Sequence, residues 1–182
     1  VYSPTPANRT AFAKEWSERT GRRIVAVDEP RDAVAGCRIV TCATAAMDAC
    51  FDGAWLEPGA HVTAITSPDG TATRRELDDA TFDRADRIVV LSREQVHHDK
   101  QFDILGPVER GRMAWDDIRE LGEVLIGAAP GRETDDETTI FANNTGMGIQ
   151  FAAVCARALR LAEERDLGHV VPTEWFLEDT SP

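Results

Sequence analysis

Apolar and polar residues along this chain fall in short blocks whose period switches repeatedly between that of a strand and that of a helix. Val1-Tyr2-Ser3 reads as a strand running into Thr5 and Pro6, a helix cap followed by proline at the first helical position. Phe12 and Trp16 follow at helical spacing and Gly21 closes the segment, so a helix is predicted over Pro6 to Thr20. Ile24 to Val27 predicts a short strand, and Pro30 to Gly36 a short helix ending on glycine. Arg38 to Ala43 is nearly continuous in apolar and β-branched residues, the pattern of a strand buried on both faces.

Trp55 to Gly59 predicts a turn into a strand at His61 to Ile65, and Ser67 to Arg75, rich in Ser, Pro, Gly and Thr, predicts a loop. Leu77 to Ala85 predicts a short helix and Ile88 to Leu91 another buried strand. Arg93 to Ile126 reads as helical and irregular, Gly131 to Glu137 as an acidic loop, and Thr138 to Phe141 as the last strand. Gly146 to Arg165 predicts a long helix stopped at Gly168. Its first half is apolar all round (Met147, Ile149, Phe151, Ala152, Val154) and should be buried, whereas Arg157, Arg160, Glu163 and Glu164 solvate the second half.

Strands alternating with helices at this spacing imply βαβ units and a mostly parallel sheet. The fold class is therefore α/β, a Rossmann-like doubly wound sheet with a long C-terminal helix and tail. An opening strand that runs straight into a capped helix makes the fold look entered partway. The expectation is a sheet incomplete at its N-terminus, with residues 1–168 forming part of a dinucleotide-binding domain and 169–182 a tail.

Composition narrows the classes. With 182 residues and 42% hydrophobic content the chain can bury a core. A membrane span needs an apolar run of about 18 residues, and the sequence has none, so the reading is a soluble, cytoplasmic protein. A net charge of −12 argues against a nucleic-acid surface. Arginine outnumbers lysine, which is found only at Lys14 and Lys100; codon bias and a salt-adapted cytoplasm explain this equally well. Cys37, Cys42, Cys50 and Cys155 lack metal-ligand spacing and read as small, reduced, mostly buried hydrophobes. His97-His98-Asp99 reads as a solvated surface group, because adjacent side chains diverge on a helix or a strand.

Ligands of doubly wound folds sit at the carboxyl ends of the strands. That rule selects Ser3 and Thr5, Ala43 and Thr44, Ile65 to Asp69, and Asn143-Asn144, although each alone also suits a cap or a turn. Ser3 occupies the position where an acidic residue would bond a ribose 2′-hydroxyl, with Asn8 and Arg9 shortly after. An uncharged residue with Arg nearby accommodates a 2′-phosphate, so NADP suits the pattern at least as well as NAD; Arg9 as a plain surface charge fits equally. Gly146-Met147-Gly148 opens a helix after a strand, but Phe151 stands where a dinucleotide fingerprint wants a small residue.

Several blocks in order resemble the ornithine cyclodeaminase/μ-crystallin family. They are Val40 to Thr44; Trp55-Leu56-Glu57-Pro58-Gly59-Ala60-His61 with the strand after it; Arg75-Glu76-Leu77-Asp78; Glu120 to Gly127; and Phe141 to Gln150 leading into an Ala-rich helix. The resemblance covers nearly the whole chain. It implies an NAD(P)-dependent enzyme that abstracts a hydride from an amino acid to give an imine, loses ammonia, and returns the hydride. Amino-acid dehydrogenase, ketimine reductase and a non-catalytic NADPH-binding module are the alternatives.

By the same resemblance the phosphate loop and a substrate-binding, dimerising domain would precede Val1. The full-length protein would then be a homodimer acting on a small amino acid or imine, and this piece alone would be inactive. Thr44 and Ile65 would line the nicotinamide side and Asn144 would match a serine near the cofactor. The family's catalytic Asp follows the strand matching His61 to Ile65; a short shift of the alignment puts Asp69 there, and Asp69 before Gly70 is equally a turn former. No metal is implied.

Overall fold

The computed structural model describes residues 1–65, 74–142 and 148–176. It divides into two compact units, Val1–Thr145 and Gly146–Pro182. In the first, helix α1 (Pro6–Thr20) precedes a five-stranded sheet of β1 (Ile39–Cys42), β2 (His61–Ala64), β3 (Arg87–Val90), β4 (Ile118–Glu120) and β5 (Thr139–Ala142). Between the strands lie α2 (Asp79–Asp83), α3 (Arg93–His98), α4 (Phe102–Glu109) and α5 (Leu121–Leu125). Spatial order is β1-β2-β5-β3-β4, and every neighbouring pair is parallel. Strands that run parallel need crossovers; the helices provide them after β2, and the β1-to-β2 connection runs through residues 43–60 with a 3₁₀ turn at Gly53–Trp55. This is the α/β, Rossmann-like parallel sheet that the pattern predicts.

Local chemistry explains where the elements begin. At the start of α1, Thr5 is extended and its carbonyl accepts from the Asn8 N–H at 3.1 Å, with Pro6 in the first turn; Gly21 closes the helix at φ 65°. The Asp78 carboxylate caps α2 by accepting from the Thr81 N–H at 2.8 Å, so that helix is shorter than the predicted Leu77–Ala85. Ser92 caps α3, and the Glu123 carboxylate accepts from the Glu120 N–H at 2.9 Å at the start of α5.

One face of the sheet carries the core. Val40, Cys42, Val62, Ala64, Ile88, Val90, Ile118, Ile140 and Ala142 alternate along the strands and pack with Leu77, Phe82, Val96 and Ile104. The opposite face is mixed, carrying Ile39, Val89 and Phe141 beside polar residues: His61 Nδ1 lies 2.7 Å from Thr139 Oγ1, and Thr139 Oγ1 accepts from Arg132 at 3.0 Å. Burial and the Arg132 charge hold the His61 imidazole below its usual pKa.

Three expectations are corrected. β1 is not buried on both faces: it lies at the edge of the sheet, its burial alternates, and Ile39 is 69% exposed. Val1–Ser3 and 24–27 do not form strands of the sheet; two backbone bonds join them, Val1 N–H to Val25 O at 2.7 Å and Val27 N–H to Val1 O at 3.0 Å, too few for a ladder. The irregular region after Arg93 holds the strand β4, whose three residues are too few to display a period.

Among its described residues the second unit contains α6 (Gly148–Glu164) and a 3₁₀ turn at Thr173–Phe176. The predicted burial of the first half of α6 is also corrected: Ile149, Phe151, Val154 and Cys155 are exposed, since the described residues of this unit are one helix and a short turn, without a second layer of their own. No helix among the described residues is long and apolar enough to cross a membrane.

Candidate functional site

The β1 and β2 ladders end together, with Cys42 paired to Ala64. The chain then leaves both strands at their carboxyl ends, through Ala43-Thr44 and through Ile65, and the freed N–H groups need acceptors. One side chain supplies them. Glu76 is wholly buried; its Oε1 accepts from the Thr44 N–H at 2.6 Å and the Thr44 hydroxyl at 2.7 Å, while Oε2 accepts from the Ile65 N–H at 2.9 Å. Ile65 itself is 44% exposed. The structure thus brings together two of the sequence-predicted positions, Thr44 and Ile65, through a third that sequence reasoning had noted only as part of a family block.

The surroundings of Glu76 are fixed from below. Its N–H donates to Asp103 Oδ2 at 3.0 Å and its carbonyl accepts from the Cys50 N–H at 2.8 Å. Asp103 is 2% exposed, its Oδ1 has no hydrogen-bond partner, and burial pushes its carboxyl up to about 6. Cys42 hydrogen-bonds to Cys50, which together with burial pushes the Cys42 thiol up; the same bond, helped by the Thr44 hydroxyl, draws Cys50 down to about 7 against the opposing effect of its own burial. All four cysteines are free thiols, as the sequence suggests, but only Cys42 is fully buried.

The N-terminal candidates form a second group. Arg9 donates to the Ser3 carbonyl at 3.0 Å and to Asp28 Oδ1 at 2.6 Å, and its guanidinium lies 5.8 Å from the Tyr2 ring centroid. Arg9 is therefore not the plain surface charge that the sequence also allowed: its side chain is 10% exposed, against 92% for Asp28. A phosphate reaching this guanidinium would compete with an acid that the sequence reading overlooked. Thr5 and Asn8 meet in the first turn of α1, where the Asn8 side chain is exposed.

Asp69, Asn143, Asn144 and the Gly146-Met147 start of the glycine pair lie outside the described residues. His97 and His98 are exposed; the His97 ring rests on Trp115 with centroids 4.2 Å apart, and His98 Nδ1 lies 2.9 Å from Asp99 Oδ1. Among the described residues no group of three His, Cys, Asp or Glu could hold a metal ion.

Comparison with known proteins adds an independent line. The profile of the ornithine cyclodeaminase/mu-crystallin family matches residues 1–162. An uncharacterized cyclodeaminase of Sinorhizobium fredii is 39% identical over 146 residues, 80% of this chain and 43% of that protein. An alanine dehydrogenase of Archaeoglobus fulgidus is 32% identical over 148 residues, 81% of this chain and 44% of its own length. Among solved structures, a Thermococcus litoralis Δ1-pyrroline-2-carboxylate reductase in complex with NADH and L-proline superposes with a TM-score of 0.85 at 32% identity, over 94% of this chain and 52% of that one. The chain spans about half the length of the relatives it matches.

Proposed function

This chain belongs to the ornithine cyclodeaminase/mu-crystallin family, and we propose that the protein carrying it is an NAD(P)-dependent enzyme acting on a small amino acid or its imine. The chain is homologous to the NAD(P)-dependent reductases and dehydrogenases of amino-acid metabolism in that family. Residues 1–168 would supply one rim of the dinucleotide site, and the full-length protein would act as a homodimer. The observation that carries this reading is the Glu76 bridge, which fixes the carboxyl ends of two adjacent parallel strands where ligands of open α/β sheets sit.

The residues present fit a nicotinamide. The half-exposed Ile65 offers an apolar surface for one ring face, and the Glu76 carboxylate, whose oxygens are already engaged below Thr44 and Ile65, is kept away from the ring. The bound dinucleotide would accept and return a hydride. The chain's own residues orient that ring, hold water off the strand ends, and through Asp69 move a proton to or from the substrate nitrogen. Cyclodeamination, amino-acid dehydrogenation and imine reduction share this hydride step and differ in the fate of ammonia.

Titration of NADH and NADPH against the protein carrying this chain, followed by nicotinamide fluorescence, should give binding at micromolar concentration for at least one of them. Binding of neither would overturn the reading. Turnover assays on ornithine, alanine and cyclic imines then select among the three reactions. Asp69→Asn should lower kcat by roughly 100-fold while leaving dinucleotide binding in place, and unchanged turnover would remove Asp69 from proton transfer.

A further inference from the structure

A fully buried glutamate is costly unless its oxygens are occupied, and a sheet does not need one to bury its ends. Glu76 has two acceptor oxygens aimed in different directions, and the two strand ends offer three donors: the Thr44 N–H, the Thr44 hydroxyl and the Ile65 N–H, at 2.6, 2.7 and 2.9 Å. A carboxylate accepts at both oxygens and donates at neither. Serine and asparagine lack either the reach or the second acceptor. Beyond the Cys42–Ala64 pair the ladder has ended, so these bonds replace the ladder where it stops.

The main chain of Glu76 is held from both sides, by Asp103 of α4 at 3.0 Å and by the Cys50 N–H at 2.8 Å. Thr44 Oγ1 passes the restraint on, accepting from the Ala46 N–H at 3.2 Å and lying 3.4 Å from Cys50 Sγ. The two strand ends, at Thr44 and at Ile65, are thereby coupled through one side chain 11 residues from Ile65 and 32 from Thr44.

We propose that Glu76 is a positioning residue for the dinucleotide, setting the spacing between Thr44 and Ile65 at the two strand ends through its two carboxylate oxygens. The inference rests on the functional reading above. It requires that Gln, which has the same shape, cannot stand in, because its NH₂ must face either the Thr44 or the Ile65 N–H, donor against donor.

The test uses the protein that carries this chain, with NADH and NADPH titrations of wild type, Glu76→Gln, Thr44→Val and the double variant, alongside circular dichroism and thermal unfolding. Glu76→Gln should stay folded and weaken binding about tenfold or more. Thr44→Val should weaken it several-fold, and the double variant should bind no worse than Glu76→Gln, because both changes break one linkage. A folded Glu76→Gln within twofold of wild type, or strictly additive effects, would overturn the proposal. If Glu76→Gln fails to fold, Thr44→Val decides: unchanged affinity overturns the proposal. Absence of binding by wild type itself would overturn the functional reading first, so the two failures are distinguishable.

Discussion

Gly53→Ala should cost the protein about 3 kcal/mol, the upper end of what overpacking a well-packed site costs and a large fraction of the stability of an ordinary domain. A Cβ at Gly53 would lie 2.2 Å from the Thr81 nitrogen, 2.5 Å from the Ala80 carbonyl carbon and 2.6 Å from the Thr81 Cα, all backbone atoms of α2. Neither segment can retreat cheaply. The Gly53 N–H donates to both Asp78 oxygens, at 3.2 and 3.1 Å, the Gly53 carbonyl accepts from Arg84 at 3.2 Å, and the same Asp78 caps α2. Moving Gly53 away would break the contact that fixes Asp78, and moving α2 away would uncap it, a further loss of about 1 kcal/mol. Chemical denaturation should show the midpoint falling sharply, while Gly122→Ala, where no atom lies within 4 Å of the new Cβ, should be neutral or mildly stabilising. Equal midpoints for Gly53→Ala and wild type would mean that α2 does not approach this closely.

What could be read from the chain was what depends on neighbours in sequence. Helix α1 is bounded by Thr5-Pro6 and Gly21, signals that act within one turn, and the structure has the helix over the predicted residues. β2, β3 and β5 fall within a residue of their predicted bounds, because each alternates or clusters β-branched residues over four positions. Ile39 illustrates what periodicity does not carry: an apolar run records that burial is possible, while the layer packed on each face of the sheet decides whether it happens. The Thr44 and Ile65 positions were legible from the strand-end rule. Glu76 was not, since a glutamate is ordinarily a surface residue and its partners lie 11 and 32 residues away. Arg9 was legible as a candidate, but its partner Asp28, 19 residues on, was not.

The buried acid beneath Glu76 has a consequence for the pH dependence of stability. Asp103 is pushed from 3.8 to about 6, first by burial and further by the Glu76 charge, against the opposing pull of the Glu76 and Leu77 N–H groups and the Arg75 charge. Between these two values the folded chain binds the proton that the unfolded chain has lost. Stability therefore falls as pH rises through this window, by about 3 kcal/mol for the full shift. Asp79 acts in the opposite sense: its Arg110 and Arg75 partners hold its carboxyl below the usual value, so its contribution is lost only as pH drops under 3.8. The two windows do not overlap, and the Asp103 effect can be isolated. Asp103→Asn keeps an oxygen for the Glu76 N–H and places an uncharged NH₂ where Oδ1 has no partner. Unfolding free energies from denaturant titrations at pH 4 to 7 should show the variant gaining on the wild type as pH rises, by most of that 3 kcal/mol, with the change centred between pH 4 and 6. Parallel curves for the two proteins would mean that Asp103 does not titrate in this range and that its unpartnered oxygen is satisfied in solution.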